Sequence, residues 1–409
     1  MATPTIPVSV NLIVRNCAAS LDACLGSLGR FLTRADEIVI VDTGSTDQGA
    51  TAAVARRHGA RLIERPDLCV PAAELASRWL PAELRPFAGE SVLTDFAAAR
   101  TVAMEVSRHD CIFWIDSDDT LWERHPGQLR AVVDQGFGKH YDVLLLQYEY
   151  WFDRGSGRCV STLRRERIVD RRRYHWHGRC HETLVPVRPD DAGRAAYYYD
   201  LPVTIRHSSH RDDSRYASAR NYLIMRSEVE ADLNARRAPS SRTSYYLANA
   251  CRGLGLLGEA ERHYRAAIDG GASPDNRYSA LQFIAEICLT PPNPRLQEAM
   301  DAGRECVRAA PQDPRGHYIV SRALAEMQRW EESLKWFEQG RQLPGPETNH
   351  AFNPDQVEYF PLVVAARAAI ELKRLDCARG LVAELSRQRP DYPDTAAIRA
   401  TLERALQGW

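Results

Sequence analysis

Apolar positions along this chain follow two different periods. Up to about residue 208, short β-branched runs alternate with stretches where apolar residues recur every three or four positions; beyond about residue 215 only the second pattern persists. Pro7 to Val14 reads as a first strand, and Ser20 as the cap of a helix carrying Leu21, Leu25 and Leu28 on one face. Glu37 to Asp42 is a second strand, β-branched almost throughout and therefore expected to be central and parallel. The turn Thr43 to Asp47 leads into a helix ending near His58, followed by a strand from Ala60 to Glu64. A helix from Asp95 to Ser107 then precedes the apolar strand Cys111 to Ile115. Strand and helix alternating at this spacing predict an α/β domain, a parallel sheet covered by helices. Further strands are expected at Tyr141 to Trp151, Val160 to Val169 and Leu201 to His207, and the Pro-rich segment Pro66 to Thr94 reads as a lid or docking loop.

The second half repeats. Ala260, Ala299, Ser333 and Ala378 each open a pattern with Tyr264, Gly303, Phe337 or Val382 four positions on, then Ala267, Cys306, Gly340 or Leu385 three further on. Pro311 and Pro390 follow two of the four. The pattern resembles the second helix of the tetratricopeptide helix-turn-helix unit, whose stacked copies form a concave groove for peptides or protein surfaces. A generic α-helical domain is the alternative. The expected division is 1–210 for the α/β domain, 211–240 for a helical linker and 241–409 for the repeats.

Composition narrows the class. The chain has 409 residues, 44% hydrophobic and 26% charged, with a formal net charge of −1. That balance gives no reason to expect nucleic acid as a partner. No apolar run approaches the ~20 residues that span a bilayer, and the start of the chain lacks the features of a signal peptide. Ten scattered Cys without a C-x-x-C pair fit free thiols. The expected location is the cytoplasm.

The candidate chemistry begins at Asp116-Ser117-Asp118-Asp119, which closes an apolar strand with three carboxylates. Open α/β sheets bind ligands at the C-terminal ends of their strands, and aspartate oxygens suit Mg²⁺ or Mn²⁺, which in turn suit diphosphates. An acidic turn capping the next helix is the plain alternative. Four blocks in order extend the picture: Val10-Asn-Leu-Ile-Val-Arg15-Asn16, Glu37-Ile-Val-Ile-Val-Asp42-Thr-Gly-Ser-Thr-Asp47, Asp95-Phe-Ala-Ala-Ala-Arg100 and Phe113-Trp-Ile-Asp116-Ser-Asp118-Asp119. Together they resemble a family 2 glycosyltransferase of the GT-A fold, over roughly residues 7 to 208. The added helical tail is similar to that of sublancin-type peptide glycosyltransferases and of many bacterial relatives.

The resemblance implies a hexosyltransferase-type enzyme using a nucleotide sugar, UDP-linked by expectation, with Mn²⁺ or Mg²⁺. Asp118, second Asp of the D-x-D, is the implied metal ligand, and Asp116 with Ser117 would reach the ribose. Asp42, Asp47, Arg15 and Asn16 would line the nucleotide pocket, although Asp47 also reads as a helix cap and Asp42 as the start of a turn. Arg100 stands where relatives often have Arg before Asn; here Thr101 follows, and a surface salt bridge is the alternative. His175-Trp-His-Gly-Arg-Cys-His181-Glu182 resembles the family's G-x-x-H-E block beside the acceptor. Inverting displacement needs one base. Glu182 is the candidate, with Asp119 as competitor and His181 orienting Glu182 or the phosphate. His207 fits a third metal-ligand position, with His210 as a rival.

Other readings remain. The Arg-rich run from Arg164 to Arg173 reads as a solvated strand edge or as groups facing the diphosphate. Asp116-Ser-Asp-Asp-Thr120 also looks like the D-x-D-x-T of haloacid-dehalogenase-type phosphatases, although it follows three strands instead of forming the first. A scaffold with an inactive transferase domain is the non-enzyme reading. For the acceptor, the helical groove favours a peptide or protein over a lipid-linked or polysaccharide precursor, and such a groove also suits a second copy of the chain.

Overall fold

The computed structural model describes residues 5–75, 82–152, 157, 159–190, 195–197, 203–208, 214–345, 353 and 355–407. The chain forms two compact units, Met1–Ala238 and Pro239–Trp409. The first is α/β and the second all α.

In the first unit, β1 (Val8–Val14), β2 (Glu37–Asp42), β3 (Arg61–Glu64) and β6 (Cys111–Trp114) lie parallel in the order β3-β2-β1-β6. This is the outward-running half of a Rossmann-like sheet. Three helices belong to it: α1 (Ala18–Ser27), α2 (Ala50–Arg57) and α4 (Phe96–Val106). Beyond β6 the sheet turns mixed. β9 (Cys159–Asp170) pairs antiparallel with both β6 and β8 (Val143–Phe152), and β13 (Val203–His207) runs parallel to β8. β7 (Asp119–Glu123) closes the edge antiparallel to β13, with Asp119 opposite His207. The short β12 (Ala195–Tyr197) pairs with β8 away from this path. Val10, Leu12, Ile40, Phe113 and Leu144 are fully or almost fully buried on the core side of these strands.

Several elements differ from the sequence reading. α1 starts at Ala18, two residues before Ser20, whose hydroxyl donates back to the Cys17 carbonyl (3.1 Å) and caps nothing. No helix follows Asp116-Ser-Asp; the chain turns directly into β7, and α5 (Gln128–Gly136) comes later. The segment expected to be a lid holds a two-stranded ladder, β4 (Cys69–Pro71) with β5 (Ser91–Leu93), and the one-turn α3 (Ala72–Leu75). Residues 76–81 within it lie outside the described residues. A hairpin of β10 (Tyr174–His177) and β11 (Thr183–Pro186) carries the His181-Glu182 loop. The stretch 211–240, read as a helical linker, does contain a helix, α6 (Ser214–Asn234), but it groups with the first unit, and its Tyr222, Leu223, Ile224 and Met225 are buried.

The second unit consists of α7 (Ser241–Gly253), α8 (Leu257–Asp269), α9 (Pro274–Cys288), α10 (Leu296–Ala309), α11 (Pro314–Glu326), α12 (Trp330–Arg341), α13 (Asp355–Glu358), α14 (Phe360–Glu371), α15 (Leu375–Gln388) and α16 (Pro393–Leu406). All four sequence patterns fall on the second helix of a pair: α8, α10, α12 and α15. Their positions are packing positions. Ala260, Ala299, Ser333 and Ala378 are 0% exposed, and a Cβ at Gly303 would come within 2.8 Å of Ile319 and at Gly340 within 2.8 Å of Tyr318. Small residues let helices approach, within a pair at Gly340 of α12 against α11 and between successive pairs at Gly303 of α10 against α11. None of the described helices is long and apolar enough to cross a membrane, and all ten cysteines are free thiols.

Candidate active site

The C-terminal ends of β1, β6 and β13 share one edge of the sheet, as their parallel register with β2 and β8 requires. A cleft of about 540 Å³ opens there, lined by Arg15, Asn16, Thr43, Arg100, Asp116, Ser117, Asp118, His181 and Glu182 among others.

Its base is an ion-pair chain. Asp95 caps α4 by accepting from Ala98 N (2.8 Å), which fixes the helix that carries Arg100. Arg100 donates from Nε to Glu182 Oε1 and from Nη2 to Asp116 Oδ1, both at 2.7 Å. Its guanidinium lies 4.4 Å from the Trp114 ring and 5.2 Å from that of Trp176, and the two indoles pack edge to face. Sandwiched so, it is 6% exposed and is a buried ion pair, not a surface one. Burial opposes its charge, but Asp116 and Glu182 prevail and raise its pKa. Asp116 moves the other way: burial alone would raise its pKa, and Arg100 and Arg167 together hold it far below the usual carboxylate range.

Asp118 stands at the cleft with its side chain 39% exposed. Its Oδ1 is 3.8 Å from His207 Nδ1, which is 3.1 Å from Asp119 Oδ1. His207 stacks on Tyr150, ring centres 5.5 Å apart. Burial raises the pKa of Asp118, with Asp116 and Asp119 adding to it, while His207 lowers it. For His207 burial works against the charged form, yet Asp119 and Asp118 outweigh it and raise its pKa. One ligand atom from each of Asp118, Asp119 and His207 falls within 4.8 Å of the others. With Asp119 taken by Arg167 and Tyr148, Asp118 and His207 offer a carboxylate and an imidazole, which suit Mn²⁺, and Mg²⁺ less well because of the nitrogen. His210 lies outside the described residues.

Three sequence expectations change. Asp119 is 0% exposed: it accepts from Arg167 Nη2 (2.9 Å) and from the Tyr148 hydroxyl (3.1 Å), so it lies behind the cleft and cannot meet an acceptor. Asp42 is turned to the backbone, accepting from Gly44 N and Ser45 N at 3.0 and 2.8 Å. Asp47 accepts from Thr51 N (3.0 Å) at the start of α2. Neither lines the cleft; both shape the loop beside Thr43, which does. Asn16 joins that loop, accepting from Thr46 N at 2.6 Å, and Arg15 donates to the carbonyls of Gly44 and Ser91. The hairpin loop needs positive φ at Gly178 (92°) and at His181 (53°), which turns Glu182 inward.

Sequence reasoning put Arg167 at a solvated strand edge or facing the diphosphate and missed that it is fully buried between Trp114 and Tyr148. The two-residue period of β9 put Arg165 and Arg167 on one face, which was the available signal. It also missed Tyr216, Arg220 and Asn221 of α6, which line the cleft and belong to no motif.

The sequence matches no protein-family model and no curated protein. Solved structures similar to parts of it include mannosyl-3-phosphoglycerate synthase from Rubrobacter xylanophilus, 18% identical over 56% of this chain and 75% of that one, TM-score 0.34. Glucosyl-3-phosphoglycerate synthase from Mycobacterium tuberculosis, solved with Mn²⁺, UDP and glucosyl-3-phosphoglycerate, is 21% identical over 37% of this chain and 45% of that one, TM-score 0.22. YrrB, a TPR protein with an unusual peptide-binding site, is 13% identical over 46% and 86%, TM-score 0.33. Likeness at this level transfers no residue role to this chain.

Proposed function

We propose that this chain is a metal-dependent, inverting glycosyltransferase that moves a hexosyl group from a UDP-linked sugar to a peptide or protein in the cytoplasm. The observation that carries the reading is the meeting of Asp118, Asp116, Arg100 and Glu182 in one cleft at the C-terminal strand edge, with His207 3.8 Å from Asp118.

Asp118 and His207 are the residues that would hold a divalent cation. Bound there, the cation supplies Lewis-acid stabilisation of the charge gained by the leaving diphosphate. Asp119 accepts from His207 Nδ1 and so orients the ring, leaving Nε2 as its remaining donor atom. Asp116 and Ser117 contact the ribose side of the donor, and Arg15, Asn16 and Thr43 form the wall for the nucleoside. Arg100 fixes Asp116 and Glu182 at once, so the donor-binding and acceptor-activating carboxylates keep a set separation. With Oε1 committed to Arg100, Glu182 takes the acceptor proton at Oε2 as the acceptor atom bonds to the sugar carbon and the bond from that carbon to the diphosphate breaks, releasing UDP. The helical-repeat unit supports a polymeric acceptor, since stacked helix pairs present a continuous surface suited to an extended chain.

The test is UDP release from UDP-hexoses with Mn²⁺. Slow release that stops with chelator and in Asp118→Ala is expected. No release with any UDP-hexose, under conditions where the protein is folded, would reject the reading.

A further inference from the structure

The arginines at the cleft divide by partner. Arg100 and Arg167 are each paired with carboxylates, and Arg15 is committed to main-chain oxygens. Arg165 has only a long ion pair, to Glu166 at 3.9 Å, and Arg220 pairs with no carboxylate among the described residues. Nε of Arg165 is buried, and among the described residues nothing accepts a hydrogen bond from its side chain. Among the described residues Arg220 donates from Nε and Nη2 only to the neutral amide oxygen of Asn221, at 3.1 and 2.9 Å, with its guanidinium 4.7 Å from the Phe96 ring. Both line the cleft together with Glu182. A guanidinium partly withdrawn from water without a close, hydrogen-bonded counter-charge is unfavourable, and two of them facing one cavity form a receptor for an oxyanion.

The surroundings of Arg220 put that receptor on the acceptor side, with Arg165 over Trp114 at its border with Asp116. Arg220 adjoins Asn221, whose Nδ2 is 3.4 Å from His181 Nε2, and His181 immediately precedes Glu182. The nucleoside wall is built instead from the turn after β1 and from Thr43. We infer that, on the transferase reading above, the acceptor carries a carboxylate or phosphate beside the atom that receives the sugar, and that Arg220 and Arg165 bind it. An acidic side chain of a peptide and the phosphate of a small phosphorylated acceptor offer this same chemistry, and a bidentate guanidinium accepts either.

The test is calorimetric titration of the full chain with inorganic phosphate, in saturating UDP and Mn²⁺. Phosphate should bind the loaded protein, and Arg220→Gln and Arg165→Gln should each weaken it about tenfold or more, roughly 1.4 kcal/mol. Arg220→Lys, which keeps the charge and the fold but loses the fork, should weaken it less. UDP affinity in Arg220→Gln should stay within about twofold of wild type, a margin of roughly 0.4 kcal/mol. Phosphate that binds Arg220→Gln as it binds wild type overturns the inference. Phosphate displaced by UDP also overturns it, since the arginines would then serve the donor. If UDP binds and phosphate does not, the acceptor inference fails and the transferase reading stands; if UDP does not bind, both fail. Where phosphate binds as expected, a Glu-bearing tripeptide and glycerol phosphate, compared in the same titration, separate the two sources by which binds more tightly.

Discussion

Arg167 Nη2 lies 2.9 Å from Asp119 Oδ2, and neither side chain reaches solvent. This pair divides the acidic stretch by role: Asp119 belongs to the core and Asp118 to the cleft. Asp119→Ala would strand a buried guanidinium and should cost about 3–5 kcal/mol. Asp118→Ala removes a partly exposed group and should change stability by about 0.5 kcal/mol or less. Chemical denaturation of the two variants checks this; equal losses would show the division to be wrong.

Glu182→Gln keeps the shape of the side chain and an oxygen for Arg100 while removing the proton acceptor. UDP affinity should hold, and turnover should fall by about 100-fold or more, the usual span of general-base catalysis. Titration and turnover measured on the same preparation separate binding from chemistry. Wild-type turnover would move the base elsewhere, and the burial of Asp119 means it could not be the replacement.

Helix packing in the second unit depends on small residues. A methyl group at Gly303 meets Ile319 and Val320 at 2.8 and 2.9 Å, so Gly303→Ala should destabilise by about 1–3 kcal/mol. Gly380, in the middle of α15, has nothing within 4 Å of the same position, and Gly380→Ala should stabilise by about 0.5–1 kcal/mol. Opposite signs in thermal melts are the expected result.

Burial holds the Glu286 carboxyl above its ordinary value of 4.5, against hydrogen bonds from Gln282 and Gln356 that favour the charge. The folded chain therefore binds this proton more tightly than the unfolded chain. Its stabilising contribution is present below 4.5 and is lost as pH rises through the raised value. Glu286→Gln, which can still accept from both amides, should gain melting temperature over wild type progressively as pH rises above 4.5. A constant difference across that range would contradict the assignment.

The strands β1, β2 and β6 were legible within a residue or so because each is a continuous apolar run that needs both faces covered. β7 was not. Its alternation of buried Asp119 and Leu121 with exposed Trp122 is a strand pattern, but three acidic residues at its head read as a turn. Arg100, Asp116, Asp118, His181, Glu182 and His207 converge because motif residues at strand ends and in the loop after β10 reach one edge of a parallel sheet. Arg167 was read as part of a solvated strand edge or as facing the diphosphate because an arginine in an Arg-rich run is normally exposed; only the packing of Trp114 and Tyr148 around it shows it to be buried. The part played by α6 depends on tertiary packing alone, and no local pattern marks Arg220 or Asn221.

The most direct test of the central claim is calorimetry with UDP, with and without Mn²⁺, on wild type and Asp118→Ala. The account predicts UDP binding that needs the metal in wild type and is lost in the variant, whose fold is intact. Equal UDP affinity with metal and with chelator, or undiminished binding by Asp118→Ala, would contradict it.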